Sequence, residues 1–328
     1  MYSLPVSRRT PQKGRFRDDL TSFVTGRPES KNMVRLAVAF GAQRRISDPI
    51  FLLVLVLAFG FPLLGNYMEY HGSSIAHSMT NPRQMYLAMS WSGSSTLIAN
   101  LGMIGIIIGA LVIGFGRVPP RDLSISWRNI AIGVAALPLA WCAFAITEAG
   151  MGSAGAGFTL NSAWASPAGV YGALGGWVGQ IFGNAPYEEL VFRAFLIPQI
   201  YLRWPSRSVL VRLIGSVVLS QAFFATIHIG ARVFKGHLGG LDLFVNLLEV
   251  FANGLAFAWI YLRTLNAFVA AAFHALSNYP QPVYYSARDL FPNETWFAYL
   301  LAAVIFGALF PLFQRQVRAV VKRTSPSS

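Results

Sequence analysis

Residues 49–67 read PIFLLVLVLAFGFPLLGNY, an apolar run without a charged residue. A helix needs about 20 such residues to cross the hydrocarbon core of a bilayer. Comparable blocks recur near 96–116, 129–147, 168–186, 208–229, 241–262, 265–280 and 295–314. The blocks predict an all-α fold, a polytopic transmembrane helical bundle of about eight spans. The block at 265–280 is short and polar at its end. The pattern of the fourth runs on helically to about residue 203.

Composition agrees with these blocks. The chain has 328 residues, 54% of them hydrophobic and 12% charged, whereas a soluble domain carries about 25% charged residues. The net charge of +13 accompanies no nucleic-acid-binding motif, so no nucleic-acid partner is expected. Of the 26 lysines and arginines, 21 fall in the N-terminal tail, the C-terminal tail and the loops near 117–128, 203–212 and 263. Arg83, Arg232, Lys235 and Arg288 lie on the other side. That asymmetry implies eight spans with both termini cytoplasmic. Cys142 is the only cysteine, which excludes an intramolecular disulfide and a Cys-based metal site.

Residues 1–47 read as a basic, disordered cytoplasmic tail too long for the charged start of a secretory signal. Residues 48–165 are the expected N-terminal transmembrane helices, and 166–282 the expected core. Residues 283–328 are a last span and a basic tail ending without a prenylation box. Gly172, Gly175, Gly176, Gly179 and Gly183 are expected to let helices approach closely in lipid.

Charge within a span is costly and marks function or pairing. The segment NAPYEELVFRAFLIP, residues 184–198, carries the strongest signal. Glu188 and Glu189 point about 100° apart on a helix. Arg193 follows Glu189 by four residues, the favourable order for an ion pair. Glu188 has no such local partner, which suits it to general-base work. Pro186 and Asn184 suggest a helix start or kink. In FFATIHIG, Phe224 and His228 share a helical face, and the histidine can help to hold a water. In FHALSNYP, His274 and Asn278 share a face and can donate to an oxyanion. For each element a structural role, as ion pair, satisfied core histidine or interhelical polar glue, competes with the chemical one. Asn246, Glu249 and Asn253 read as a polar packing stripe. His71, His77 and His237 read as solvated loop residues, and Asp242 lies at a span edge.

The three elements in order, EELVFR, FATIH and HALSN, resemble the CPBP family of intramembrane proteases. That family includes type II CAAX prenyl endopeptidases of the Rce1 type, and bacteriocin-processing and self-immunity proteins. The resemblance covers roughly residues 170–280. It implies an endopeptidase acting on a membrane-tethered protein or peptide, located in the inner membrane of a bacterium. Glu188 would be the catalytic glutamate, activating water with His228. Glu189 would support the site and pair with Arg193, beside Phe224. His274 and Asn278 would complete it as an oxyanion hole. Glu188, His228 and His274 could also hold a divalent metal such as zinc as a three-ligand site. The family has been described both as metalloproteases and as metal-independent glutamate proteases. The residues disfavour a tightly bound structural metal. Two other functions stay open: a non-catalytic scaffold or immunity protein, and a proton-coupled transporter. The absence of an internal repeat weighs against the transporter. The sequence assigns neither a physiological substrate nor an oligomeric state.

Overall fold

A computed structural model describes residues 28–76, 97–152, 158–160, 167–236, 238–279, 284–286 and 302–310. The described residues begin with α1 (Pro28–Gly41) and α2 (Asp48–Ala76). Next come α3 (Leu97–Phe115), π-helical from Ile104, and α4 (Trp127–Gly152). The helix α5 occupies 167–203, followed by α6 (Val209–Ile227), α7 (Gly240–Thr264) and α8 (Ala267–Asn278). Residues 302–310 are helical. The fold is helical, as expected, with two differences. Residues 28–41, expected to belong to a disordered tail, form α1 and bury Leu36, Ala37 and Phe40 in the core, because the helix gathers these apolar side chains on one face. Two three-residue strands, β1 (Phe158–Leu160) and β2 (Tyr284–Ser286), pair antiparallel with Thr159 opposite Tyr285.

Five helices among the described residues are long and apolar enough to cross a bilayer: Asp48–Tyr67, Leu97–Phe115, Pro120–Phe144, Val209–Phe234 and Gly240–Thr264. Only 11% to 33% of each is buried inside the protein, so lipid must cover the rest. Leu52, Val56, Phe115 and Leu241 are among the exposed apolar side chains. The protein is therefore an integral membrane protein.

Five of the eight expected spans coincide with these helices, and three expected blocks are not among them. The block 265–280 forms α8, whose 12 residues extend only about 18 Å at 1.5 Å per residue. The block 168–186 is the first half of α5, which alternates between α and π geometry at 180–184 and 189–196. Apolar length alone does not distinguish a helix in lipid from one sheathed by other helices, and residues 185–201 of α5 are all buried. Most of the block 295–314 lies outside the described residues. Pro186 does not begin a new helix. Asn184 and Ala185 keep right-handed helical backbone angles, and the chain runs on through both. Of the expected glycine contacts, a Cβ at Gly176 would strike the Tyr279 ring at 2.5 Å, whereas Gly175 faces open space.

The short joint between α7 and α8 sets the position of α8. Leu265 adopts a left-handed backbone (φ 51°), uncommon for a residue with a Cβ. Its neighbours hold it there. Thr264 Oγ1 accepts from Asn266 N–H at 3.2 Å, and Ser124 Oγ donates to Leu265 O at 3.3 Å. Asn266 caps α8 by accepting from Phe268 N–H at 3.0 Å. Its amide donates to Asn129 O at 3.0 Å, which ties the joint to α4. Where α8 meets α4, a Cβ at Gly133 would lie 2.5 Å from Phe268 Cβ.

Replacing Asn266 with Ala removes the cap and the hydrogen bond to the Asn129 carbonyl. The expected loss is about 2 kcal/mol of stability, read as a lower unfolding midpoint in detergent. An unchanged midpoint contradicts this account of the joint.

Candidate active site

The buried half of α5 carries Glu188, Glu189 and Arg193, and Arg193 is the largest fully buried side chain described. Charges this deep must be compensated locally. Arg193 Nη1 lies 3.0 Å from Glu189 Oε1, the i, i+4 pair expected from the sequence. Arg193 Nη2 also donates to Gly254 O of α7 at 3.3 Å. Its guanidinium stacks over Phe224, 4.1 Å from the ring centroid, with Phe257 at 5.4 Å. Such cation–π contacts strengthen when water is excluded. Gly254 is needed here, because a Cβ would lie 2.9 Å from Phe224 Cδ1.

His274 of α8 joins both glutamates. Its Nδ1 hydrogen-bonds Glu189 Oε1 at 2.7 Å, and its Nε2 lies 3.3 Å from Glu188 Oε2. Glu188, Glu189 and His274 are 6%, 0% and 1% exposed. The sequence reading left Glu188 without a partner, and the partner proves to lie on another helix. Side chains 100° apart on α5 can reach one imidazole because its two nitrogens lie on different edges. A neutral imidazole donates from one nitrogen only. The shorter bond assigns that proton to Nδ1, toward Glu189. Nε2 then meets Glu188 favourably only when a further proton lies between them. Phe257 stacks on the His274 ring at 4.2 Å and 16°.

His228 ends α6. Its Nδ1 is 2.8 Å from Phe224 O. A carbonyl only accepts, so Nδ1 carries the proton. In the neutral ring Nε2 therefore keeps a lone pair, able to accept from a water. Phe224 packs against His228 (4.8 Å between centroids), His274 (5.9 Å) and Phe192 (5.5 Å).

Asn278 lies one turn beyond His274 on α8 and makes no direct contact with this array among the described residues. It is exposed, and its Nδ2 donates to Gln180 Oε1 at 3.2 Å. Glu249 is half-buried and accepts from Asn246 Nδ2 at 3.3 Å, as a polar packing stripe requires. Asp242 is exposed. His77 and His237 lie outside the described residues. The sequence reading missed Gln180, Gly254 and Phe257. Gln180, Asn184 and Glu188 recur at intervals of four in an otherwise apolar stretch, and that polar period was the available signal for Gln180. Nothing local marks Gly254 or Phe257.

The donor set bears on the expected metal. Among the described residues no group of three His, Cys, Asp or Glu side chains is placed to hold an ion. Glu188 and His274 face each other, but His228 does not complete a three-ligand set with them. No step below passes through a metal.

A cavity of about 260 Å³ lies between α3, α4, α5 and α8. Phe182, Pro186, Leu190, Val134, Phe268 and Ala272 are among its lining residues, and no charged residue lines it. It is suited to hydrocarbon and stands beside the carboxylates rather than around them.

No curated protein and no solved structure matches the chain. A protein-family comparison does: residues 170–280, which hold all of these site residues, match the type II CAAX prenyl endopeptidase Rce1-like family.

Proposed function

We propose that the protein is an intramembrane endopeptidase that hydrolyses a peptide bond of a membrane-associated protein or peptide. The observation that carries this reading is the buried Glu188–His274–Glu189 array, with His228 held in the tautomer that can accept from water. A structural ion pair needs Glu189 and Arg193 alone. It gives no reason for a second buried carboxylate in looser contact with the same histidine. The family match over 170–280 supports a hydrolase. The apolar surface supports a substrate that arrives from the bilayer.

In the proposed reaction Glu188 takes a proton from water while His228 Nε2 orients that water. The oxygen attacks the scissile carbonyl carbon, and the C=O electrons move onto oxygen. Asn278 donates to the resulting oxyanion. Protonated Glu188 then gives its proton to the departing amine as the C–N bond breaks. Glu189 and Arg193 hold His274, and His274 holds Glu188. His274 thus serves as the link between carboxylates rather than as an oxyanion donor, because both ring nitrogens face carboxylates. The basic loops favour cytoplasmic termini in a bacterial inner membrane.

The test uses purified protein in lipid vesicles with a prenylated CAAX-box peptide as probe. Glu188→Gln is expected to lower cleavage about 100- to 10,000-fold with unchanged unfolding. Full activity of that variant contradicts the mechanism. Identical membrane-protein termini in cells with wild-type or variant protein would favour a non-catalytic scaffold. Proton-coupled uptake by the vesicles would favour a transporter.

Metal dependence is read separately. Cleavage is expected to survive EDTA and 1,10-phenanthroline. Loss of activity that added zinc restores would instead place a metal in the reaction.

A further inference from the structure

The contacts between α5 and α8 form an antiparallel ladder. Trp177 Nε1 donates to Tyr279 O at 2.9 Å. Gln180 Oε1 then meets Asn278 Nδ2 at 3.2 Å. Ala185 packs with Ala271 and Ala275, small residues that let the two helices approach closely. Beyond them Glu188 and Glu189 meet His274. One rung is a buried ionic array, and another is a pair of carboxamides at the exposed end of the same interface.

Gln180 is the centre of the carboxamide rung. Its Oε1 accepts from Asn278 Nδ2 and also from Asn184 Nδ2 at 3.4 Å. A carboxamide oxygen has two lone pairs, so both are used. Gln180 and Asn184 are half-buried in a helix that is otherwise apolar over 167–183. Polar side chains at such positions are costly unless they serve a purpose. The arrangement has a definite sense. If the Asn278 amide turned over, its oxygen would face the oxygen of Gln180, and the two would repel. Gln180 therefore selects the orientation in which Asn278 turns its N–H group inward. The second N–H of Asn278 has no partner among the described residues.

We propose that Gln180 is a positioning residue. It fixes the carboxamide of Asn278 so that the second N–H of Asn278 is presented to the scissile carbonyl of a peptide substrate. Asn184 shares the Gln180 oxygen and holds that oxygen in line. The inference rests on the endopeptidase reading for its catalytic consequence, but the orientation of Asn278 can be tested without it.

The kinetic test uses the full chain in lipid vesicles with the prenylated CAAX-box peptide. Gln180→Met keeps the side-chain volume and removes the acceptor. It is expected to lower kcat about tenfold with KM within about twofold. Asn278→Ala is expected to lose about as much, and the double variant no more than either single one. Gln180→Glu keeps an acceptor and is expected to recover most of kcat. Additive losses, or a wild-type kcat in Gln180→Met, overturn the proposal. A rise in KM with kcat unchanged also overturns it, because that describes substrate binding alone.

The second readout needs no activity. In protein labelled with 15N-asparagine, the side-chain resonances absent from Asn278→Ala identify Asn278. The two protons of that amide are expected to be well separated and slow to exchange in the wild type, and to collapse toward solvent-like values in Gln180→Met. Unchanged resonances overturn the proposal. If the wild type cleaves no peptide but the amide responds as expected, the endopeptidase reading fails and the positioning of Asn278 stands.

Discussion

Two carboxylates buried side by side in an apolar helical bundle are the constraint around which the rest of the protein is arranged. Glu189 is fully buried and shares one oxygen between Arg193 and His274. Neither partner is enough alone. Arg193 needs the Gly254 carbonyl and the faces of Phe224 and Phe257 to lie at zero exposure. His274 needs α8 to stop beside α5, which the capped joint at Leu265 and Asn266 secures. Removing one member of such a network leaves an uncompensated buried charge, a penalty of about 3–5 kcal/mol. The close approach of α7 at Gly254, the π geometry of α5 over Glu189–Leu196 and the small-residue contact with α8 all serve the same pair. Single-turn π geometry often accompanies functional sites.

What the sequence revealed depended on range. The Glu189–Arg193 pair was legible because both residues sit four apart on one helix. The apolar runs gave the helical membrane fold. The two ends of α8 were less visible: its cap is a local signal at Asn266, but its shortness matters only against the thickness of a bilayer. The bridge from His274 to both glutamates spans 85 residues of chain, and no local pattern reports it. Adjacent glutamates on an ideal helix suggested separate roles. Both nevertheless meet one ring, because an imidazole has two edges. Gln180 sits among glycines whose spacing signals close helix packing, and only its interval of four to Asn184 and Glu188 marks it.

The two carboxylates are held differently, and that difference is what the proposed chemistry uses. Glu189 is fixed by a 2.7 Å hydrogen bond and an ion pair. Among the described residues Glu188 makes only the longer 3.3 Å contact. In the proposed reaction a structural carboxylate and a working one sit at neighbouring positions. The family match over residues 170–280 agrees with a hydrolase built on this core.

The most direct test of this account is 15N NMR of the His274 imidazole in lipid. Both ring nitrogens are expected to show hydrogen-bonded shifts. Glu189→Gln should perturb chiefly Nδ1, and Glu188→Gln chiefly Nε2. Ring nitrogens whose shifts respond to neither substitution would contradict the buried array and the mechanism built on it.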